Sequence, residues 1–466
     1  MSPTTTAAGV VPDVLRERVK GAVLEPGRPG YEEATQAFNT TVVQRPPIVV
    51  VPEDEDDVIA VVDVAREHGL QVAPQRTGHN AAPLEDLSGV VLLRTDALRG
   101  VEIDAERGVA RVRAGSKWED VVPRASELGF AALHGSTPDV SVAGYALGGG
   151  VGWYARRHGL AANSVTAIEV VTADGRLRRV DHAHEPELFW ALRGGGGNFG
   201  VVTALEIRLL PVAEVYAGAL FFPWERSAEV LHAWLDWTAT LPEEVTSVGR
   251  VLRFPPLPEI PEPLRGGSFA LVEAVVLGGR EHGERLLAPL RALHPAMDTF
   301  DVVAPVGIAE LHMDPPEPVP YAGGGQMLGA LDHDAIDAFV ALAGPGSDSP
   351  LLSAEIRHLG GALRRAPEGH GALATLDCEY MTFNVGMVLD DEGRAAIERR
   401  VGEMEAALAP YDAGREYLNF AEAPTDASRF FAPGAHRRLR EARAAYDPAG
   451  VFRANHPIEP AEAALS

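Results

Sequence analysis

The sequence predicts a two-domain α+β protein, and two observations support this prediction. With 466 residues, the chain is longer than a single hydrophobic core usually serves. Its first half, residues 30–212, alternates short strand and helix patterns without a regular βαβ rhythm. From residue 213 onward, long strand patterns alternate with amphipathic helices, which predicts a large antiparallel sheet covered by helices on one face.

The first domain begins with a polar segment, residues 1–10, that carries no periodic pattern. The acidic stretch 52–57 predicts the start of a helix, because carboxylates are favourable at the positive N-terminus of a helix, and a helix pattern follows it. Ser116 and Glu119 have the spacing of a capping box and predict a helix start there. Strand patterns, which include two hairpins, lie at 71–74, 90–93, 101–103, 109–112, 168–172, 177–180 and 201–207.

The second domain is predicted to hold longer elements. Its strand patterns lie at 216–222, 269–277, 352–358 and 374–388. Its helix patterns lie at 228–240, 280–293 and 391–408, and a last helix is expected at 435–445. The changes of pattern divide the chain into two domains, 1–212 and 213–412, and a C-terminal segment, 413–466.

Charge and cysteine content exclude several classes of function. The chain has 66 acidic and 41 basic residues, a formal charge of −25, which argues against nucleic acids and anionic membranes as partners. Cys378 is the only cysteine, so no disulfide forms within the chain. We expect a cytoplasmic protein, because the start lacks a signal-peptide pattern and no apolar run approaches the length of a spanning helix. No ligand spacing predicts a metal site.

Two glycine clusters are the most informative motifs of the chain. Residues 194–197 are four consecutive glycines, and residues 148–150 form a second run about fifty residues upstream. Glycine runs are costly in conformational entropy, so the backbone there is expected to lie against something bulky. Two glycine-lined walls predict a large cofactor with phosphates and a ring system. Residues 195–200 formally satisfy the dinucleotide-binding fingerprint, but the helix precedes them and the strand follows, so we reject that interpretation.

A tight turn follows the predicted strand at 71–74. Thr77, Gly78 and His79 can direct their backbone amides to one side, as in a nest that binds a pyrophosphate, and Arg76 adds a charge. A single loop histidine is usually only solvated, so His79 by itself predicts no function. A third stretch, 135–152, combines hydroxyl side chains, a turn proline and glycines.

In this order and spacing, the three stretches resemble the flavin domain of the vanillyl-alcohol oxidase / p-cresol methylhydroxylase superfamily. They are most similar to its berberine bridge enzyme-like branch. The similarity continues through 188–203 to Tyr417, Asn419 and the C-terminal run 446–448, and so covers nearly the whole chain. It implies a PCMH-type FAD-binding domain of two α+β subdomains, to which the C-terminal segment returns, with FAD between this domain and the substrate domain.

The resemblance also implies which residues bind FAD. In this branch, a histidine in an R-x-G-G-H turn carries the flavin through its 8α-methyl group. His79 occupies that place, in a turn that is one residue shorter. The implied cofactor-binding residues are Gln75, Arg76, Thr77, Gly78, His79, Asn80, Ser136, Thr137, Asp139, Val140, Gly144, Gly148, Gly149, Val202, Tyr417 and Asn419.

The chain departs from the branch at two positions. Many members attach the flavin a second time through a cysteine, and Thr137 stands at that place. A single covalent bond, through His79, is therefore expected. Sugar- and cannabinoid-type relatives use a tyrosine to take the substrate proton, and Phe420, which cannot ionise, stands there instead.

Another residue is therefore needed to accept the substrate proton. Glu379 on the predicted strand 374–388 is the leading candidate, and Glu355, which shares a strand face with Arg357, extends the polar patch. Tyr417 completes the set of candidate catalytic residues. A carboxylate buried beside a flavin has a raised pKa, which suits a base near neutrality. The alternative is that both carboxylates simply face solvent. His312 is a loop histidine without an assigned role.

The resemblance implies an FAD-dependent oxidoreductase. It is expected to remove a hydride from a C–H bond next to oxygen, nitrogen or an aromatic system of a small molecule, with dioxygen as electron acceptor. The missing tyrosine favours a natural-product intermediate as substrate. A dehydrogenase with another acceptor, an oligosaccharide or alcohol oxidase, and a non-catalytic flavin-binding protein are the alternatives. A monomer or a homodimer is expected.

Overall fold

The computed structural model describes residues 10–84, 86–258 and 260–462. The polar segment expected at residues 1–10 lies outside the described residues except for its last position. In this part of the chain, the strands form three sheets and helices connect and cover them. The predicted α+β class is confirmed. None of the described helices is long and apolar enough to cross a membrane.

The first sheet contains parallel strands. Its strand order is β1-β2-β4-β3, and β4 pairs in parallel with both β2 and β3 because helix α3 returns the chain to the same edge. The elements are β1 (Ala22–Leu24), β2 (Ile48–Val51), β3 (Gln71–Gln75), β4 (Val90–Arg94), α1 (Val11–Arg18), α2 (Tyr31–Thr35) and α3 (Glu55–His68). The Asp54 side chain accepts a hydrogen bond from Asp57 N and so caps α3, as the acidic pattern predicts.

The second sheet is antiparallel and contains both predicted hairpins, in the order β5-β6-β9-β7-β8. Its strands are β5 (Val101–Asp104), β6 (Val109–Arg113), β7 (Val165–Val171), β8 (Leu177–Val180) and β9 (Val201–Arg208). The helices of this region are α4 (Trp118–Glu127), α5 (Val142–Leu147), α6 (Ala155–His158) and α7 (Pro186–Leu192).

The capping box predicted at Ser116 is wrong by one residue. Helix α4 starts after Lys117, whose backbone N–H donates to the Asp120 carboxylate at 2.9 Å. The Ser116 hydroxyl instead accepts from Gly100 N at 3.0 Å and so anchors a neighbouring loop. Ser116 therefore does not cap the helix, because its hydroxyl pairs with Gly100, which is distant in sequence.

The third sheet is the large antiparallel sheet that the sequence predicts. Its order is β13-β10-β12-β11-β17-β18-β15, with β14 beside β10 and β16 beside β18. Its strands are β10 (Val215–Pro223), β11 (Val245–Arg253), β12 (Ser268–Val276), β13 (Met297–Asp298), β14 (Asp301–Val303), β15 (Tyr321–Gly324), β16 (Met327–Leu328), β17 (Ser353–His358) and β18 (Tyr380–Met387). Its helices are α8 (Ser227–Thr238), α9 (Arg280–Arg291), α10 (His333–Ala343) and α11 (Asp391–Leu408).

The two faces of this sheet have different roles. On β17, Ala354 and Ile356 are buried in a core that contains Trp234 of α8 and Met404 of α11. The alternate residues of the same strand are polar and line a cavity on the opposite face. Strand periodicity therefore separates packing from chemistry on neighbouring residues.

The C-terminal segment packs against the first sheet. After helix α12 (Pro433–Tyr446), the buried Asp447 carboxylate accepts hydrogen bonds from Val451 N at 2.8 Å and Phe452 N at 2.9 Å. Val451 O then accepts from Val72 N of β3 at 2.8 Å. This turn brings the end of the chain to the same cavity as the N-terminal turn, residues 74–80. The domain boundaries at residues 212 and 412 stay predictions.

Candidate active site

A cavity of about 410 Å³ lies where the three sheets meet. One wall comes from the turn 74–80, the stretch 135–151, which contains the glycine run 148–150, and residues 196–202, which begin in the glycine run 194–197. The opposite wall comes from the polar face of the large sheet, and the C-terminal segment closes the side. Most of the predicted site residues meet here, although they are hundreds of residues apart in sequence. Three of them do not line the cavity: Asp139, Gly149 and Glu379.

The His79 ring is fixed at the cavity wall. It stacks on Phe38, with ring centroids 3.9 Å apart and an interplanar angle of 15°. Its Nδ1 atom lies 2.9 Å from the Thr77 hydroxyl. Its Nε2 atom is 3.2 Å from an Asp139 carboxylate oxygen, but outside hydrogen-bond geometry. Asp139 does not line the cavity itself, but its carboxylate lies next to the His79 ring.

The glycine runs serve two purposes. Gly144 and Gly197 line the cavity, and a Cβ atom at either position would meet no neighbour within 4 Å. Gly148 also lines the cavity, but a Cβ there would lie 1.7 Å from the Asn419 side-chain oxygen. Gly194 has a φ of +102°, and a Cβ there would strike Leu373. The expectation of glycine-lined walls therefore holds for part of each run, whereas the rest packs against protein.

Three residues of the N-terminal turn are already engaged with protein. Arg76 donates from Nη1 to Asp96 at 2.7 Å and from Nε to Gly115 O at 2.7 Å. The charge that the sequence predicts at this turn is therefore present, but Asp96 pairs with it. Gln75 exchanges two hydrogen bonds with Gln44. Asn80 donates to Leu418 O at 2.9 Å and links the turn to the C-terminal segment.

The stretch around Ser136 joins the two walls. Ser136 Oγ donates to Asp314 Oδ2 at 3.1 Å, and both residues line the cavity. The Thr137 hydroxyl donates to Asp139 and lines the cavity as well. Cys378 is buried elsewhere, and burial raises the pKa of its thiol to about 12. No group of metal ligands is found among the described residues.

A buried charged cluster forms the floor of the cavity on the large sheet. His312 lies between two carboxylates, with Nδ1 2.6 Å from Glu273 Oε2 and Nε2 2.7 Å from Glu355 Oε2. Arg357 donates from Nε to Glu355 Oε1 at 2.6 Å. Arg250 lies beneath them and donates to Glu273 at 3.3 Å and to His312 O at 2.6 Å. The predicted patch of Glu355 and Arg357 is therefore present, and it is larger than the sequence indicated.

These contacts set the charges of the cluster. Burial and Arg250 lower the pKa of His312, but the attraction of Glu273 and Glu355 outweighs both and raises the pKa to about 9. Burial alone would raise the pKa of Glu355, but Arg357 and His312 hold it well below its usual range. At neutral pH the cluster therefore contains a protonated imidazole and an ionised Glu355. The sequence predicted a carboxylate base with a raised pKa, but the pKa of Glu355 is lowered.

Glu379 is not where the sequence prediction placed it. Its carboxylate pairs with Arg364 at the protein surface, and its side chain is 34% exposed. It precedes Phe383, the nearest residue of β18 on the cavity wall, by four residues, or about 13 Å of extended strand. The strand itself starts at Tyr380 and not at residue 374. Alternation along a strand predicts which face a side chain is on, but not whether the cavity extends to that residue. Glu379 cannot act as the base in this geometry.

Tyr417 is at the cavity, but its hydroxyl is occupied. It accepts from Gly150 N at 2.8 Å and from Asn419 Nδ2 at 3.2 Å. Burial raises the pKa of Tyr417 above its usual range. Tyr417 and Asn419 therefore hold the glycine run against the C-terminal segment, and Tyr417 is a positioning residue and not an acid or base.

Glu422 is a further carboxylate of the cavity, beside Glu355 and Asp314, and the sequence did not predict it. Glu422 accepts from the Tyr321 hydroxyl at 3.2 Å, and burial raises the pKa of Glu422 to about 7. The same hydroxyl lies 3.4 Å from His79 O. The pair joins β15 to the C-terminal segment across 101 residues, and no local pattern marks either residue.

Comparison with known proteins gives two family matches. Residues 46–181 match the family described as FAD binding domain, and residues 416–459 match the family described as berberine and berberine like. The first match contains the His79 turn and the glycine run 148–150. The second contains Tyr417, Phe420 and Glu422.

Relatives and solved structures match along nearly the whole chain. An uncharacterized FAD-linked oxidoreductase, YvdP, of Bacillus subtilis (strain 168) is 29% identical and covers 95% of this chain and 99% of its own. (R)-6-hydroxynicotine oxidase of Paenarthrobacter nicotinovorans is 27% identical over 95% of this chain and 97% of its own. The solved structure of wild-type BBE-like 1 from Physcomitrella patens superposes with a TM-score of 0.83 at 18% identity, over 97% of this chain and 100% of its own.

Proposed function

We propose that this chain, a berberine bridge enzyme-like FAD-linked oxidoreductase, oxidises a small organic molecule at a C–H bond next to nitrogen, oxygen or an aromatic ring. The observation that supports it is the cavity itself, which has the cofactor motifs on one wall and a buried charged cluster on the other. FAD supplies the hydride acceptor when bound. The residues that line the cavity would bind and orient the cofactor and the substrate and would stabilise charge on the substrate.

The cavity wall fits FAD. Gly144 and Gly197 leave open space beside the backbone, as a closely approaching cofactor requires. His79 also lines the cavity, where its Nε2 atom faces the Asp139 carboxylate at 3.2 Å outside hydrogen-bond geometry. Backbone groups of 75–80 and 136–144 would hold the phosphates, and Val202 and the glycines around it would contact the rest of the cofactor. These observations support the sequence-based assignment of the FAD-binding residues.

We further propose a single covalent bond between His79 and the flavin 8α-methyl group. His79 lines the cavity in a fixed orientation, since it stacks on Phe38 and lies between Thr77 and Asp139. Thr137 takes the place of the second attachment residue, and its hydroxyl donates a hydrogen bond to Asp139. A cavity with one tether on its cofactor leaves more room for a substrate on the sheet side.

Glu355 is the residue that we assign to the substrate. Its ionised carboxylate lies at the cavity wall and is held by Arg357 and His312. Positive charge develops on a substrate carbon as a hydride leaves, and a fixed carboxylate stabilises it most when nitrogen or oxygen shares that charge. The low pKa makes Glu355 a weak base and an effective electrostatic partner.

Dioxygen as electron acceptor and a natural-product intermediate as substrate belong to the same proposal, as does a cytoplasmic location. The relative named as a 6-hydroxynicotine oxidase supports oxidation of a nitrogen-containing small molecule. Phe420 in place of a tyrosine supports a substrate class that needs no phenolic base. A dehydrogenase would differ by reducing its flavin quickly and reoxidising it slowly in air.

The first experiment is acid denaturation of the purified protein, with the spectrum of the pellet and the intact mass. A yellow pellet and a mass increase of one FAD are expected. Both disappear in His79→Ala, while the control His184→Ala, whose side chain is 73% exposed, keeps them. Flavin released into the supernatant contradicts the covalent bond, and no flavin in either fraction contradicts the function. In the holoenzyme, Glu355→Gln is expected to keep FAD but slow its reduction by about 100-fold.

A further inference from the structure

We infer that Arg357 binds an anionic oxygen of the substrate, so that the substrate is a planar conjugated acid that carries a carboxylate or a phenolate. This inference rests on the proposed function, because it assigns the substrate class of the same cavity. Arg357 carries hydrogen-bond donors that protein atoms leave unused.

Arg357 is a nearly buried cation with incomplete partners. Its side chain is only 12% exposed, and its Nε donates to Glu355 at 2.6 Å. Its Nη2 lies 3.3 Å from His312 Nε2. That imidazole is protonated at neutral pH and directs Nε2–H to Glu355, so it has no lone pair to accept with. In the described part of the chain, no residue accepts from Arg357 Nη1 or Nη2 by any other contact.

The unused donors of the Arg357 guanidinium need an acceptor from the cavity. Arg357 Nη1 is not among the buried side-chain atoms that lack a partner, so it opens to the cavity, where solvent or a ligand accepts from it. The outer edge of a guanidinium presents two parallel N–H groups that match a carboxylate, or a single oxyanion between them. Because Arg357 lines the cavity, a ligand in the cavity can provide that acceptor.

The surroundings of Arg357 select a planar ligand. The guanidinium carbon lies 5.1 Å from the centroid of the Phe420 ring, and Phe420 packs against Phe383 with centroids 4.8 Å apart. Both phenylalanines line the cavity beside Val385 and Met387. An aromatic or conjugated ring packs against such a surface while its acidic group reaches the guanidinium.

The charges of the cluster are consistent with this ligand. Protonated His312 lies next to Arg357, so two cations face the cavity side of Glu355. Asp314 repels an anion, but Ser136 already donates to it from across the cavity. The Glu355 carboxylate pairs with the Nε side of the guanidinium, and an uncharged oligosaccharide would offer only neutral hydroxyl acceptors to its two Nη groups. The site therefore favours an acid over a neutral sugar.

The test is binding of matched probes to the FAD-loaded protein, by isothermal titration calorimetry. Benzoate and its neutral isostere benzamide report on the carboxylate, and 4-cyanophenol titrated across its own pKa reports on the phenolate. We expect the preferred anion to bind at least tenfold more tightly than its neutral form, which corresponds to about 1.4 kcal/mol. In Arg357→Gln this ratio falls to about one with unchanged FAD content, and in Arg357→Lys it is intermediate.

The control is Arg364→Gln, which removes a positive charge outside the cavity and keeps the wild-type ratio. The inference is overturned if neutral and anionic probes bind equally to the wild-type protein, or if Arg357→Gln keeps the preference. It is also overturned if Arg357→Gln and Arg357→Lys both lose FAD, because Arg357 then binds the cofactor. Failure of the proposed function looks different, since FAD would then resist reduction by every substrate while the probe ratios stay measurable.

Discussion

His312 shows how tertiary contacts define a single residue. It is a loop histidine in the sequence, yet its ring is buried between Glu273 and Glu355. Burial alone would make it neutral, and the two carboxylates make it a cation. The protein thus keeps a charged network at the floor of its cavity, where it fixes the ionised state of Glu355.

This network predicts a loss of stability in alkaline solution. The pKa of His312 is raised from 6.5 to about 9, so its stabilising effect is fully present below pH 6.5 and lost as the pH rises through 9. The free energy of unfolding is expected to fall by up to about 3 kcal/mol over this range. In His312→Gln the fall is shallower, as urea denaturation at pH 6.5, 8 and 9.5 would show.

The surface variant His184→Gln is the matched control and is expected to follow the wild-type curve. Parallel curves for wild-type protein and His312→Gln would mean that His312 is neutral in the folded protein. In that case Glu355 loses the partner that lowers its pKa.

At the scale of elements, the C-terminal segment completes the site. Its residues 417–420 and 422 line the cavity. Asn419 forms a hydrogen bond with helix α5, and Tyr417 forms one with the glycine run that follows this helix. The Asp447 turn attaches the end of the chain to β3. A segment of about fifty residues therefore contributes side chains to both the cofactor wall and the substrate wall.

Tyr417→Phe tests this anchoring role. It removes the acceptor of the buried Gly150 N–H, which should cost about 1–3 kcal/mol of unfolding free energy. The pH profile of flavin reduction is expected to stay unchanged, because the hydroxyl is not an acid or base. Thermal unfolding and stopped-flow reduction provide the two readouts. The control Tyr411→Phe, at a half-buried tyrosine outside the cavity, should cost less than Tyr417→Phe. A shifted pH profile without loss of stability would restore Tyr417 as a catalytic residue.

At the scale of the whole molecule, the cavity exists because the large sheet packs against the cofactor-binding half. Buried Arg156 of α6 crosses this boundary, with Nε 2.8 Å from Leu359 O and Nη1 2.9 Å from Val245 O. Asn39 of the first half donates to Tyr321 O of β15 at 3.1 Å. Such polar contacts fix the distance between the two walls.

Arg156→Ala should loosen the two halves. The variant leaves two buried carbonyl groups without donors, so a loss of about 2–4 kcal/mol is expected. In differential scanning calorimetry, the transition of the FAD-loaded protein should broaden or separate into two, and FAD should be released at lower temperature. The neighbouring exposed Arg157 provides the control, since Arg157→Ala removes the same charge without these contacts. A single, unshifted transition in Arg156→Ala would show that packing alone joins the halves.

The sequence by itself determined the fold class, most element positions, the glycine-lined cofactor wall and the pairing of Glu355 with Arg357 on one strand face. These features follow from local periodicity, glycine conformation and motif spacing, which are properties of neighbouring residues. Several short elements escaped prediction, and so did two of the longer ones, strand β11 and helix α10. The β11 pattern is interrupted by Gly249 and by Arg250, whose burial depends on partners from other strands.

Only the tertiary structure decided which charged residues meet. Glu273, His312 and Glu355 come from separate segments, and Tyr321 finds Glu422 across 101 residues. The rejection of Glu379 has the same origin, because a strand pattern gives the face of a residue but not how far along the strand the cavity extends. Burial and pairing, which set the charge of His312 and leave the donors of Arg357 unused, are properties of the assembled chain. For that reason, the sequence identifies the cofactor, whereas the packed structure points to the substrate.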